Sequence, residues 1–548
     1  MIEQLQKAVE SGNTAEMRQI IAALSEKNHS VVVLIPLINI CMKEQQFDLA
    51  LKIFKQAIQQ NLHPKQIVRL LNEEFFKGHS RLAIDFLTIA YNELPNNNVI
   101  CEYYVDRLMS LEHYTQAEDV LSQIIQQRPE PIYLAKLSEC YYRQAKLHEA
   151  KATAVIVQQM CPQLAKSYIN LAVVEKALGN LSTTAQLLQK AIEIEPNNFY
   201  AHINFAHLAL LSHEFELGWQ EYEYRWQDSH CIQLDLPLPS WNGEQEGHLL
   251  LWADQGLGDQ IMFLNLMAKL QTEITLKIDP RLRTLIEPLL HERVHFITDE
   301  YQGDYSEFDF CISLGSLGRY LVHSIDDIQP QTILAKVPHS INSKAQLESE
   351  LKAKIYHFFD INDDAEQPLF IGISWRGGNY RTNALGRNIP LEILSDLLEA
   401  FVGDQSIKFI NLQYDATSDE IELLAKKGVY TPDFDLKNDL VHLSILMTSF
   451  LTKFISVDNS TVHLAGALGV NTDLLLSSLA DWRWFYESDC CRWYESVKIC
   501  RNLPLIGCNS FDCLNSENQT LSNQQKIALT QLKHDFYALI LDVKNIHQ

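Results

Sequence analysis

Residues 164–198 read LAKSYINLAVVEKALGNLSTTAQLLQKAIEIEPNN, and this stretch decides the fold of the first part of the chain. Two segments with apolar residues at helical spacing flank Gly179 and Asn180, which favour a turn. Pro196 closes the stretch, because proline cannot continue a helix. The pattern predicts two helices joined by a tight turn.

The same unit recurs through the first 230 residues. Small residues separated by 33 or 34 positions mark it at Ala50, Ala83, Ala117, Ala150, Thr184 and Gly218. Prolines follow four of them at a constant distance of 12 residues, at Pro95, Pro129, Pro162 and Pro196. A period of about 34 residues is that of the tetratricopeptide repeat, whose stacked units share one core. We expect an α-solenoid over residues 1–230 that presents a groove to a protein partner; a rigid spacer or a dimerising arm is the alternative.

Charge and cysteine content exclude several classes of protein. The 548 residues include 45 Lys and Arg and 69 Asp and Glu, so the formal net charge of −24 repels nucleic acid. The N-terminus lacks the basic start and apolar core of a signal peptide, and no apolar run approaches the ~20 residues that span a bilayer. Eleven scattered cysteines indicate reduced thiols. We therefore expect a cytoplasmic protein without a membrane span.

From about His248 short apolar runs alternate with helical stretches, which predicts parallel strands joined by crossover helices. Strands are predicted at 248–252, 273–278, 294–298 and 308–312, and then at 368–375, 407–412 and 453–458. The predicted organisation is a solenoid (1–230), a first Rossmann-like lobe on the acceptor side (231–340), a second lobe on the donor side (341–515) and a C-terminal helix packing back on them (516–548). A ligand is expected in the cleft between the lobes.

A glycine turn follows the first predicted strand, with the sequence Ala253-Asp254-Gln255-Gly256-Leu257-Gly258-Asp259-Gln260. Gly256 and Gly258 allow backbone amides to approach a ligand. Ile261 replaces the third glycine of a dinucleotide fingerprint, and no GxxxxGK[ST] string is present, which disfavours a dehydrogenase or a nucleotide triphosphatase. Asp259 either accepts a proton from an acceptor hydroxyl or caps the helix, and its position alone leaves both roles open.

A second junction between a strand and a helix runs from Asp458 to Gly469. The amides and hydroxyls of Ser460 and Thr461 are suited to holding phosphate, with His463 one turn further on. The alternative is that Asp458 and His463 only cap and pack the turn.

Arginines follow the strand that ends at Trp375. Arg376 is next in sequence, and Arg381 and Arg387 lie in the polar loop after it. Arginine stays charged and can bind an oxyanion through two hydrogen bonds, so these residues are candidates for neutralising a leaving phosphate. A solvated basic loop is the alternative for Arg381, and Arg387, which directly precedes a predicted helix, is the preferred candidate.

No bound metal is expected. The string His291-Glu292-Arg293-Val294-His295 matches HExxH, but that site needs one helix through both histidines, and residues 294–298 have strand composition. The cysteines near the end of the chain lack the paired CxxC spacing of a zinc site.

Four segments in the same order resemble bacterial tetratricopeptide glycosyltransferases whose catalytic part is similar to the heptosyltransferase family of GT-B enzymes. They are Leu251 to Gln260, Gly372 to Gly377, Asp458 to Gly469, and Asp481-Trp482-Arg483-Trp484 with Trp493-Tyr494-Glu495-Ser496. The resemblance covers nearly the whole chain. It implies a GT-B unit of two Rossmann-like lobes, with a nucleotide-sugar as co-substrate and neither cofactor nor metal.

The resemblance also implies roles for individual residues. Asp259 would be the general base, and Asp458, Ser460, Thr461 and His463 would lie against the donor nucleotide. Arg387 corresponds to a basic residue by the donor phosphates, where lysine is common, and Trp375 and Arg376 join the donor side. Asn459 stands where threonine is usual and Asp254 where glutamate is usual. The iron-binding cysteine pairs of some related protein heptosyltransferases are missing, so neither that metal nor that assembly is carried over.

These expectations together favour an inverting glycosyltransferase. Its acceptor would be a hydroxyl of a protein held by the repeats. The family resemblance alone suggests flagellin or another surface protein as that acceptor. The alternatives are a lipopolysaccharide or other glycan transferase whose repeats serve oligomerisation, and a non-catalytic repeat adaptor. The oligomeric state is left open.

Overall fold

The computed structural model describes residues 20, 31–72, 80–229, 231, 233–287, 294–298, 301, 303–362, 366–377, 386–477, 481–486, 490–501, 503 and 523–547. Within these residues the chain forms two compact units, one ending at Met160 and the other beginning at Cys161.

The described part of the first unit consists of four helix pairs, which confirms the predicted helical repeat. The small residue of each unit lies on the second helix of its pair and is at most 1% exposed, so the paired helices approach closely at Ala50, Ala83, Ala117 and Ala150. The helices are α1 (Val31–Lys43), α2 (Phe47–Gln59), α3 (Pro64–Leu71), α4 (Ser80–Glu93), α5 (Asn98–Ser110), α6 (Tyr114–Gln127), α7 (Pro131–Arg143) and α8 (Leu147–Met160).

The second unit opens with two further pairs, α9 (Ala165–Ala177) with α10 (Leu181–Ile194) and α11 (Phe199–Leu211) with α12 (Phe215–Tyr222). Gly218 on α12 lies so close to Leu210 that a Cβ would come within 2.7 Å of its side chain. A 3₁₀ turn, Glu223–Gln227, follows α12 directly.

The turn between the two helices of a pair repeatedly uses a left-handed residue. Positive φ angles occur at Gln45, Glu112 and Ala145 in the first unit and at Gly179 and His213 in the second. Glycine adopts this conformation without a steric penalty, so Gly179 is the best suited of the five.

A four-stranded parallel sheet follows the helices, with strand order β3-β2-β1-β4. Its strands are β1 (Leu249–Trp252), β2 (Ile274–Lys277), β3 (Val294–Phe296) and β4 (Phe310–Ser313). Its helices are α13 (Leu257–Leu264), α14 (Pro280–Ile286), α15 (Leu317–Leu321) and α16 (Val337–Ser340). Val294 belongs to β3, so the zinc-protease string does not continue as a helix there; residues 291–293 lie outside the described residues.

A six-stranded parallel sheet completes the unit, with strand order β10-β9-β8-β5-β6-β7. Its strands are β5 (Leu369–Ser374), β6 (Ile407–Asn411), β7 (Val429–Tyr430), β8 (Leu451–Val457), β9 (Thr472–Leu475) and β10 (Val497–Cys500). The remaining helices are α17 (Lys344–Phe359), α18 (Leu391–Glu399), α19 (Ser418–Lys426), α20 (Leu440–Ser449), α21 (Ser460–Leu468) and α22 (Asn523–His547). The predicted fold class, helical repeats followed by parallel sheets in an α/β region, is confirmed.

Two features concern the placement of helices on the sheets. Both sheets are parallel, and α13 and α21 follow the carboxyl ends of β1 and β8, which is where ligands generally bind in open α/β sheets. The C-terminal helix α22 buries Leu532, Phe536 and Ile540 against the six-stranded sheet and its helices.

Candidate functional site

The last repeat packs against the helices and turns of the first sheet. Trp219 on α12 packs edge-on to Trp482 and leaves no room for a Cβ at Gly318. The hydroxyl of Tyr222, at the end of α12, donates to Gln255 Oε1 in the glycine turn over 2.8 Å. The repeat segment and the glycine turn therefore pack as one structure.

A buried ion pair strengthens this junction. Arg225 Nε donates to Asp254 Oδ2 over 2.8 Å, and the two side chains are 4% and 1% exposed. The second terminal nitrogen of Arg225 donates to the hydroxyl of Ser313, the last residue of β4, and to the hydroxyl of Ser316 just after that strand. Asp254 thus acts as a structural counter-ion that fixes the glycine turn. In the sequence Asp254 stands out only as a departure from the family pattern, and its partner Arg225 could not be identified there.

Asp259 lies on the first turn of α13 but does not cap that helix. Gly256 is the N-cap residue, and no side chain caps the helix. Asp259 Oδ1 instead accepts a hydrogen bond from Arg483 Nε over 2.7 Å, and also one from a terminal nitrogen of Arg483. Its side chain is 19% exposed. Oδ2 lies on the side of Gly256, 3.8 Å from where a Cβ of that glycine would be, and no hydrogen bond from a described residue reaches it.

Two aspartates share Arg483. Its remaining terminal nitrogen donates to Asp481 Oδ1 over 2.6 Å, so one guanidinium joins Asp259 to Asp481. Burial raises the pKa of Asp259, and the charge of Arg483 opposes that rise without cancelling it. Burial would also raise the pKa of Asp481, but Arg483 and then Arg387 hold it well below its usual range. The Asp481-Trp482-Arg483-Trp484 motif carried the family resemblance without an assigned role, and the structure places its two charged residues beside Asp259.

The second predicted junction is held by Asn459. Its Oδ1 accepts from Val462 N over 3.1 Å and so caps α21, and its Nδ2 donates to Ser374 Oγ over 2.8 Å. Next to it, Asp458 is ion-paired with an Arg387 terminal nitrogen at 2.9 Å. Burial raises the pKa of Asp458, with Arg387 opposing the rise.

His463 lies where the two helix starts meet. Its ring stacks on Trp484 at a centroid distance of 4.9 Å, and Nδ1 lies 3.0 Å from the hydroxyl of Tyr494. A Cβ on Gly258 would come within 3.0 Å of the imidazole and 3.3 Å of Ser460 Cα, so glycine lets α13 and α21 approach. Burial lowers the pKa of His463 to about 3, and the imidazole is neutral near pH 7.

Trp375 and Arg376 turn away from this cluster. The Trp375 side chain is 2% exposed and belongs to the core of the six-stranded sheet, so any contribution to a donor site would come from its backbone. The Arg376 guanidinium pairs with Glu420 and donates to the carbonyl of Asp415. Gln413, which sequence reasoning missed, accepts from the backbone amides of Trp375 and Arg376 over 3.0 and 2.9 Å. Arg381 lies outside the described residues.

The structure therefore brings most predicted site residues together. Asp259, Gly256 and Gly258 come from the first sheet's turn, and Asp458, His463 and Arg387 come from the second sheet. Thr461 is buried and Ser460 half-buried on the first turn of α21. Asp481 and Arg483 complete a mostly buried group of charges that includes both lobes.

Two other features are absent from the described part of the chain. No group of three or more His, Cys, Asp or Glu side chains there is arranged to hold a metal ion. None of the helices there is long and apolar enough to cross a membrane.

Fold and site together define a protein of mixed class, in which helical repeats of the tetratricopeptide type precede two parallel sheets. No family model matches the chain. Protein FlbA of Caulobacter vibrioides is 22% identical over 435 residues, covering 73% of this chain and 68% of FlbA. Among solved structures, MamA from Desulfovibrio magneticus RS-1 has a TM-score of 0.26 and 16% identity and covers 30% of this chain and 97% of its own. The tetratricopeptide protein TTC0263 of Thermus thermophilus has a TM-score of 0.27 and 18% identity and covers 30% of this chain and 92% of its own.

Proposed function

We propose that the chain is an inverting, metal-independent glycosyltransferase that moves a sugar from a nucleotide-sugar to a hydroxyl group of a protein. One observation carries this proposal: Asp259 keeps one carboxylate oxygen free of hydrogen bonds from the described residues, and Gly258 next to it packs against Ser460 at the start of α21. A base facing an anion site is what a single displacement at an anomeric carbon requires.

In this mechanism Asp259 Oδ2 removes the proton from the acceptor hydroxyl. The acceptor oxygen then attacks the anomeric carbon, the bond from that carbon to the diphosphate oxygen breaks, and the proton remains on Asp259. A single in-line displacement inverts the configuration at the carbon. A carboxylate whose pKa is raised by burial is a stronger base than a solvated one, which suits this role.

The leaving diphosphate would be received on the second lobe. Arg387 supplies a positive charge, and the first turn of α21 supplies the amides and hydroxyls of Ser460 and Thr461. Asp458 holds Arg387 through its ion pair and would not itself contact the phosphate, because a carboxylate and a phosphate repel each other. His463 contributes as a neutral, packed ring and not as a cation.

The repeats support a protein or peptide as acceptor, since stacked tetratricopeptide units commonly present a groove to one. The last repeat is close to the candidate base: His207 on α11 stacks on Trp482, the residue before Arg483. The proposal extends to a cytoplasmic location, on the reduced-thiol interpretation of the cysteines, and to flagellin or another surface protein as acceptor.

Intact-mass analysis of cell-surface proteins, flagellin first, tests this function. Cells would carry the wild-type chain, a deletion, Asp259→Asn, or Asp304→Asn, a matched control on the surface of the same lobe. We expect one protein to lose a sugar-sized mass increment in the deletion and Asp259→Asn strains only, because loss of a general base costs roughly 10²–10⁴ in rate. If only surface glycan changes, the enzyme is a glycan transferase. If neither changes, the chain is not a transferase of this kind.

A further inference from the structure

Arg483 is held by contacts at both its side chain and its backbone. Its guanidinium bonds to Asp259 and Asp481 and lies over the Trp482 ring at 4.6 Å. Its backbone carbonyl accepts from Trp493 Nε1 over 2.8 Å. With both ends fixed, the guanidinium has one orientation to offer the carboxylate on α13.

The hydrogen bonds of Arg483 are also selective between the two oxygens of Asp259. Nε and one terminal nitrogen both donate to Oδ1. A carboxylate held through one oxygen cannot rotate freely, so Oδ2 keeps a fixed direction. This is the geometry that a proton acceptor needs, since one oxygen carries the orienting contact and the other remains basic.

We propose that Arg483 is a positioning residue that orients Asp259 and keeps its carboxylate ionised in a partly buried site, with Asp481 holding Arg483 in place. This inference rests on the proposed function, because it assigns a base to be positioned.

Electrostatics agree with this assignment. Among the described residues, the ionisable groups that influence Asp259, or respond to its charge, are Arg483, Asp481, Asp254, Tyr222, Tyr494 and Cys231. Burial raises the pKa values of Tyr222, Tyr494 and the Cys231 thiol, so these groups are neutral near pH 7. Asp254 is already paired with Arg225. Arg483 is therefore the cation that directly offsets the effect of burial on Asp259.

The test is the pH profile of kcat/KM for the wild type, Arg483→Gln, Arg483→Lys and the surface control Arg283→Gln. An adjacent opposite charge lowers a carboxyl pKa by roughly 1–3 units, so its loss moves the acidic limb of the Arg483→Gln profile upward by at least about one pH unit. At a pH below the acidic limb, the kcat/KM of Arg483→Gln relative to the wild type should be about tenfold lower than the same ratio on the plateau. Lysine keeps the charge and should give an intermediate limb, and Arg283→Gln should follow the wild type. A uniform rate loss with an unmoved limb would overturn the positioning role.

A second measurement does not depend on activity. A double-mutant cycle on thermal unfolding, with Asp259→Asn, Arg483→Gln and the double variant, measures the coupling of the pair at pH 8 and again at pH 4. We expect a clear coupling at pH 8 that weakens at pH 4, where Asp259 takes up a proton. Coupling without transferase activity would refute the proposed function and leave the ion pair standing. Transferase activity without coupling would refute the role of Arg483 alone.

Discussion

At the scale of single residues, Gly377 shows how closely the ends of two strands meet. A Cβ on Gly377 would collide with the carbonyl oxygen of Asp458, where the segments that follow β5 and β8 pass each other. Gly256, in the glycine turn, is the opposite case, because its Cβ would meet nothing closer than Asp259 Oδ2 at 3.8 Å and its φ of −65° suits any residue.

This contrast gives a matched pair of variants. Gly377→Ala should lower the free energy of unfolding by about 1–3 kcal/mol or more, because the backbone has to move to relieve the overlap. Gly256→Ala should change it by less than about 1 kcal/mol. Denaturant unfolding of the two variants beside the wild type makes the comparison. Equal losses would mean that the junction of β5 and β8 can open at little cost.

Residue patterns could predict candidate groups but not their partners. Asp259 and His463 follow short motifs at the ends of strands, and local spacing is sufficient to find such positions. Arg483 lies 224 residues from Asp259, so only the folded chain selects it from the arginines present. The same holds for Arg225, which reaches Asp254 across 29 residues. Long-range ion pairs of this kind leave no periodic trace in a sequence.

At the scale of elements, α21 depends on Asn459 for both its start and its place. The side chain caps the helix through Oδ1 and ties it to the end of β5 through Nδ2. Threonine, the usual residue in the resembling family, can cap but lacks the amide donor.

We therefore expect a graded series at this position. Asn459→Ala should destabilise the protein by about 1–2 kcal/mol, the usual cost of a lost cap, with a further penalty for the Ser374 hydroxyl and the Arg376 carbonyl left without it. Asn459→Thr should cost clearly less. Chemical denaturation at constant pH ranks the three proteins. A threonine variant as unstable as the alanine variant would mean that the amide donor, and not the cap, stabilises the helix.

Element prediction succeeded where burial makes a strand uniformly apolar. β1 consists of four buried apolar or aromatic residues, and its position was predicted. β9 was not, because it carries Asp473, which pairs inside the sheet with Lys453 of β8 over 2.6 Å and interrupts the apolar run. β7 has only two residues and gives too short a signal for any pattern.

At the scale of the whole molecule, the division at Met160 falls within the run of repeats, so two repeat pairs belong to the unit that contains both sheets. The second of these pairs carries Trp219 and Tyr222 to the first sheet, and the 3₁₀ turn directly after it carries Arg225. Sequence period alone does not reveal this, because the period continues unchanged through the division while the packing partners change.

Truncation tests whether the last repeat pair is an integral part of the unit that contains the sheets or a separable attachment. A chain beginning at Cys161 keeps Arg225 opposite Asp254 and should unfold cooperatively on heating. A chain beginning at residue 231 leaves Asp254 as a buried charge without its partner, at a cost of about 3–5 kcal/mol. It also loses the packing of Trp219, worth a further ~3–5 kcal/mol, against a total stability on the order of 5–15 kcal/mol for an ordinary domain. We expect the shorter chain to lose its near-ultraviolet circular dichroism and its cooperative transition, and adding Asp254→Asn should recover part of the loss. If the chain from residue 231 melts as sharply as the chain from Cys161, the repeats are a separable attachment and the last pair is no part of the wall of the site.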